Sequence, residues 1–343
     1  MRTGWRPGVT ARRLGLGLVL CLVASGCTAP DTPGPAPLAA LTSCHSGTDS
    51  TSSAVLYASD FGFFRKHGLD VTLVYANGGA ASVATLLSGQ AQICQMSGAN
   101  VVSAARAGED LVVVAGLVNT TPFTLIAAPS LGGARGLAGQ TVASPAGGGA
   151  YELGLRLHLA SHGISFEQVR FAPLGSQPAV IAAMEAGHVG AALQVPPESS
   201  LLLSRGFVEV PFGNSLPPAF QHIALVTRKA YLQANRPAVT AYVRAVAEAI
   251  AAMKGDEAGF IAVAAKHRKL DPVAQHDDLV VAHREIVVGR MEAVPAPTLA
   301  GMDYIVRNTP AAPGARAITA ADLIDGSVVE DLVRTGAIGT ARP

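Results

Sequence analysis

Short apolar runs alternate with amphipathic stretches along most of the chain. LTSCHSG (41–47), LDVTLVYA (69–76), AQICQMS (91–97), LVVVAGLV (111–118) and PFTLIAA (122–128) have the length and side-chain character of strands. Between the first three, apolar residues fall at helical spacing, with Val83, Leu86 and Leu87 on one face. After LGGARGLAGQ (131–140) the rhythm restarts with TVASP (141–145), a helix over 150–161, VRFAPL (169–174), a helix over 177–186, VGAALQV (189–195) and FVEVPFG (207–213). HIALVTRK (222–229) is expected to return to the first group, and from 230 to about 335 the periodicity is helical. Strand–helix alternation builds parallel sheets, so the predicted fold class is α/β with two units.

The expected division is one lobe from 41–128 and 223–343 and a second from 129–222, with a cleft where the chain crosses between them. Ligands of open α/β sheets bind beyond the carboxyl ends of the strands. The loops there supply the candidates: Ser52 and Ser53, Asn77 and Gly78, Ser97 and Asn100, Asn119 and Thr120, Ser144, and Gln194. Gly147, Gly148 and Gly149 lie between a strand and a helix, where backbone N–H groups meet an anionic or polar head. No Lys-Ser or Lys-Thr follows them, which argues against a nucleotide-hydrolysing loop. These loops hold no Arg or Lys, so an anion would rely on amides and hydroxyls, and a neutral polar solute fits as well.

The N-terminal residues add a separate signal. Residues 1–26 have a secretory layout: Arg2, Arg6, Arg12 and Arg13 precede an unbroken apolar run, Leu14 to Ala24. That run is shorter than the roughly 20 residues a membrane-spanning helix needs. Ala24-Ser25-Gly26-Cys27 closes it in the manner of a bacterial lipobox, with the Cys27 thiol as the group that takes the diacylglycerol. Residues 27–40, rich in Pro and small side chains, read as a lipidated cysteine and tether. The expectation is therefore an exported protein anchored by lipid to the membrane, facing the periplasm or the cell exterior. Cys44 and Cys94 then remain in an oxidising compartment, either as a disulfide or as two buried thiols.

A net charge of +1 and only 14% charged residues leave no basic footprint for nucleic acid. His158 and His162 stand four apart on a helix, but no third ligand is near and a solvated face is the expectation. No nucleophile elbow or other catalytic motif stands out, and no cofactor or metal is called for.

Phe61-Gly62-Phe63-Phe64-Arg65-Lys66-His67-Gly68-Leu69-Asp70-Val71 resembles a segment of the nitrate, sulfonate and taurine group of periplasmic binding proteins, the NMT1-like or SsuA-like family. The likeness continues through NGGAASVATLLSG (77–89), RGLAGQTVASPAGGGA (135–150), PLGSQPAVIAAMEAG (173–187) and DLIDGSVVEDLVRTG (322–336). It departs at Gln92 and Gly190, where many relatives have Asp. The resemblance implies a two-lobed type II binding-protein fold with a ligand cleft, a monomer that captures a small-molecule solute by hinge closure, and ABC permease and ATPase subunits as partners. Relatives that make a pyrimidine vitamin precursor with active-site His and Cys supply an enzymatic alternative, against which the export signal argues. A ligand-sensing surface lipoprotein is the other alternative.

Overall fold

A computed structural model describes residues 38–213 and 219–339. The leader, Cys27 and most of the tether lie outside the described residues. Among the described residues ten strands form two five-stranded sheets. In chain order they are β1 (Ala39–His45), β2 (Leu69–Tyr75), β3 (Ile93–Met96), β4 (Leu111–Val118), β5 (Thr124–Ala127), β6 (Thr141–Ser144), β7 (Arg170–Pro173), β8 (Ala191–Gln194), β9 (Val208–Val210) and β10 (Ile223–Arg228).

The first sheet has the order β2-β1-β3-β10-β4 and the second β7-β6-β8-β5-β9. The orders match position by position. In each sheet the first three strands run parallel and the fourth is antiparallel to both neighbours. That fourth strand arrives from the other half of the chain: β5 follows β4 into the second sheet, and β10 follows β9 back into the first. The first lobe's expected boundary at 128 is thereby corrected. β5 pairs Leu125 with Leu193 and with Val210, so the chain crosses before residue 124. The central strands of both sheets are buried on both faces, and an apolar run such as TLIA fits the middle of either.

Helices cover each sheet on both sides. Against one face of the first sheet pack Ser53–Asp60, Arg236–Met253 and Glu257–Arg268, burying Val112, Val114 and Leu225. Val239, Tyr242, Val243, Val246, Ile250 and Met253 recur every three or four residues and put one apolar stripe inward. Each such buried side chain contributes about 1.5–3 kcal/mol by leaving water. Tyr242 also carries a hydroxyl into the core, where it meets Ser43 Oγ at 2.6 Å and is satisfied. Gly98–Arg106 and Leu299–Asn308 cover the opposite face. The second sheet is thinner, with Gly149–Ala160 on one side and Gln177–Glu185 and Glu198–Ser204 on the other.

Cys44 and Cys94 are register partners on β1 and β3, their Cα atoms 4.4 Å apart, and they are joined as a disulfide that closes 50 residues of chain. Gln92 takes up a bracing role: its Oε1 accepts from Thr42 N at 2.8 Å and its Nε2 donates to Gly89 O.

The crossing segments are strapped by the C-terminal region. Asn119 Nδ2 donates to Ala296 O at 2.9 Å and Gln221 Nε2 donates to Asn119 Oδ1 at 2.8 Å, while Thr298 N donates to Gln221 Oε1 at 2.9 Å. Arg290 donates to Thr121 O at 3.0 Å and Thr120 Oγ1 at 3.3 Å. The knot forms against Gly116, where a Cβ would stand 2.5 Å from Asn119 Oδ1. Only glycine leaves that space.

Candidate functional site

Between the two sheets, beyond the carboxyl ends of their strands, lies a cavity of about 860 Å³. The first sheet contributes His45 to Asp49 after β1, and Tyr75, Asn77 and Gly78 at the end of β2. The second contributes Pro145 and Ala146 after β6, Gly175 to Pro178 after β7, and Pro197 and Glu198 after β8. Tyr151 and the helix end His267 to Leu270 complete the wall. The volume suits a small organic molecule.

Of the residues expected from sequence, Asn77 and Gly78 line this cavity. Gln194 ends β8 fully buried, and neither amide atom has a hydrogen-bond partner in the structure. Ser144 precedes the lining loop and shapes it, its Oγ donating to Ala146 O at 2.6 Å. Ser97 caps the helix Gly98–Arg106 and donates its hydroxyl to Asn100 Oδ1 at 2.6 Å.

Asn100 fills the gap between two helix starts. A Cβ on Gly149 would come within 2.8 Å of its Oδ1, and one on Gly79 would overlap it. The glycine run therefore lets the second sheet's helix approach the first sheet closely. Gly148 and Gly149 also adopt positive φ, at 68° and 56°, and Gly147 packs beside Pro173. Ser53 donates to Ser50 O at 2.8 Å and, with Ser52, is buried at the start of the helix Ser53–Asp60. Asn119 and Thr120 belong to the strapped crossing segment described above.

The absence of Arg and Lys from the cleft is corrected. Arg268, the last residue of Glu257–Arg268, enters the cavity wall and pairs with Glu198, the first residue of Glu198–Ser204. The pair joins the helical cover of the first sheet to that of the second, with side-chain exposures of only 9% and 4%. Burial lowers the Arg268 pKa, and the Asp49 carboxylate and Tyr151 partly offset that effect. Lys269 follows with φ 56°, the only non-glycine at positive φ among the described residues, so the backbone is strained where it delivers Arg268. Nearby, Ser50 Oγ donates to Pro196 O across the cleft.

His45 Nδ1 lies 2.7 Å from Gly47 O, which can only accept, so that nitrogen donates. Burial lowers its pKa, and its ring sits 5.4 Å from that of Tyr75. Burial and the Asp49 carboxylate raise the Tyr151 phenol. Asp49 itself accepts from Thr51 N at 3.0 Å. Four lining carboxylates (Asp49, Glu185, Glu198, Asp278) face three cations (Arg205, Arg268, Lys269), so the wall is near neutral rather than strongly cationic.

His45, Asp49 and Arg268 were not among the site residues expected from sequence. The position of Glu198 beside Pro196-Pro197 already points it at the cleft, with solvation as the alternative, and Tyr151 has core packing as its alternative to stacking on a planar ligand. Asp49 stands just after β1 and was open to view, whereas Arg268 reaches the site only through tertiary packing. His158 is buried rather than solvated, its ring 4.6 Å from Phe212 and 5.6 Å from His162, and burial lowers its pKa to about 4. Among the described residues no cluster of three metal-ligating side chains occurs.

Two sheets of matching order, exchanging their fourth strands around a cleft, define the type II periplasmic binding-protein fold. The chain is similar to the alkanesulfonate-binding protein SsuA from Xanthomonas axonopodis pv. citri bound to MOPS, at 20% identity and TM-score 0.62 over 82% of this chain and 99% of that one. The periplasmic nitrate-binding protein NrtA from Synechocystis shares 12% identity at TM-score 0.71, over 89% and 92%. The periplasmic aliphatic sulphonate binding protein SsuA from Escherichia coli shares 16% at 0.62, over 88% and 94%. At these identities the likeness carries the fold. No curated protein sequence matches. The sequence profile described as NMT1/THI5 like matches residues 49–258, and the chain belongs to that family.

Proposed function

We propose that this chain is the extracytoplasmic solute-binding protein of an ABC-type importer, held to the membrane by lipid on Cys27. It captures a small polar or anionic organic solute between its lobes and delivers it to a permease served by an ATPase. The observation that carries this reading is the cavity of about 860 Å³ between two sheets that exchange their fourth strands. Such a cleft closes by rotation about its crossings, and a solute favours closure by binding the closed state more tightly. Asn77, Gly78 and Gln194 are the proposed polar contacts, with Tyr151 and Tyr75 as ring faces. The disulfide supports an exported chain.

His45 in the cavity favours a second reading, an enzyme related to the pyrimidine-precursor synthase. Against it, the cysteines among the described residues are bonded to each other, so neither offers a thiol. Native mass spectrometry of protein purified from its own host, followed by denaturation and analysis of what is released, separates the two. A receptor retains a small molecule and releases it chemically unchanged after prolonged incubation. Conversion of that molecule into a product would sink the receptor reading.

A further inference from the structure

The Arg268–Glu198 pair has a property beyond holding two helices together. A guanidinium offers donors in a planar fork suited to two oxygens of a carboxylate or sulfonate. Arg268 uses one arm, Nη2, on Glu198, while its Nη1 and the Glu198 Oε2 are both buried without a hydrogen-bond partner. Both residues line the solute cavity. The carboxylate on Arg268 therefore comes from the opposite wall of the space a solute would enter, and it leaves the fork half used.

We propose that Glu198 is an internal stand-in for the oxyanion of the solute, and that a carboxylate or sulfonate head displaces it from Arg268. This rests on the receptor reading and adds a specificity rule to it. A bound monoanion gives Arg268 the one anionic partner that Glu198 gives up, with Asp49 still nearby. A dianion brings two charges to a wall that already holds four carboxylates against three cations. Neutral solutes cannot displace Glu198 and so do not gain from Arg268. Glu198 thus sets a threshold of affinity: the fraction of molecules with Arg268 free scales the apparent binding of any anion.

The test uses the mature chain with the variants E198Q, R268M and E198Q/R268M, each checked for a cooperative melt. Propionate and ethanesulfonate are the probes, and 1-propanol at matched ionic strength is the uncharged control. E198Q is expected to bind at least one of the two anions about tenfold more tightly than the unsubstituted chain, as follows when an internal competitor is removed. R268M and the double variant lose the gain, and 1-propanol shows none. The two probes tell carboxylate from sulfonate. If E198Q does not fold, E198D gives a smaller gain in the same direction, because its shorter side chain competes less well. Equal or weaker anion binding by E198Q overturns the proposal, as does a gain that survives in the double variant. If the unsubstituted chain takes up a solute and E198Q gains nothing, this inference falls and the receptor reading stands. If E198Q gains while the unsubstituted chain retains no solute, the reverse holds.

Discussion

Near the carboxyl end of β1, Cys44 has Cys94 of β3 as its register partner and is bonded to it; between β6 and β8, the matching strands of the second sheet, Ala143 and Ala192 take that place. The same contrast runs through both halves. The first sheet carries the disulfide, a buried Tyr242–Ser43 hydrogen bond and the long C-terminal helices, while the second offers small residues and glycine turns. Matching topology thus supports unequal parts. The first is a braced platform that delivers Arg268, and the second is a thinner cover that approaches closely because Gly149 leaves room for Asn100.

The largest effect is expected where the two parts meet. Arg268→Met leaves the Glu198 carboxylate buried without its cation, which costs about 3–5 kcal/mol when a buried pair is broken from one side. Urea unfolding should show it, and a midpoint within error of the unsubstituted protein would mean that the pair is not a link between the parts. Next comes the brace within the platform. Replacing Cys44 and Cys94 together by Ala should lower stability by about 2–4 kcal/mol through the freed loop. If the contrast is right, the effect appears in hydrogen exchange of β1 and β3 and spares β6 and β8.

A third test concerns the second crossing. Burial and the nearby Arg290 lower the His222 pKa from 6.5 to about 3, so the folded protein holds this imidazole neutral. Below pH 6.5 the unfolded chain binds a proton that the folded one cannot hold until pH nears 3, and stability falls across that window. His222→Phe should flatten the slope of the unfolding midpoint between pH 7 and 4.5; His158, with its pKa lowered to about 4, and His45, also lowered by burial, contribute to the slope that remains. The smallest effect is Gln92→Ala, which removes the bond to Thr42 N and should cost about 1 kcal/mol.

Much of the architecture was legible because strand and helix periods differ, and the return of residues 222–229 to the first sheet was among what they revealed. The crossing point was not, since TLIA at 124–127 is apolar on both faces and pairs equally well in either sheet by pattern alone. Asn77 and Gly78 were found at the cavity because they end a strand, which local sequence shows. Arg268 was missed because it ends a helix more than 200 residues from Asp49, and only packing brings them together. Asn119 shows the converse: a polar residue in a strand-end loop, spent on tying the crossing to Ala296.

Whether the cleft binds a small solute is decided by thermal unfolding of the mature chain against sulfonates, nitrate, carboxylates, flavins and pyrimidines. A solute at a hundredfold excess over its dissociation constant stabilises the folded state by about 2.7 kcal/mol, so one chemical class should raise the midpoint by several degrees, and an anionic one should lose that effect in Arg268→Met. A well-folded sample whose midpoint none of these compounds moves would contradict the account.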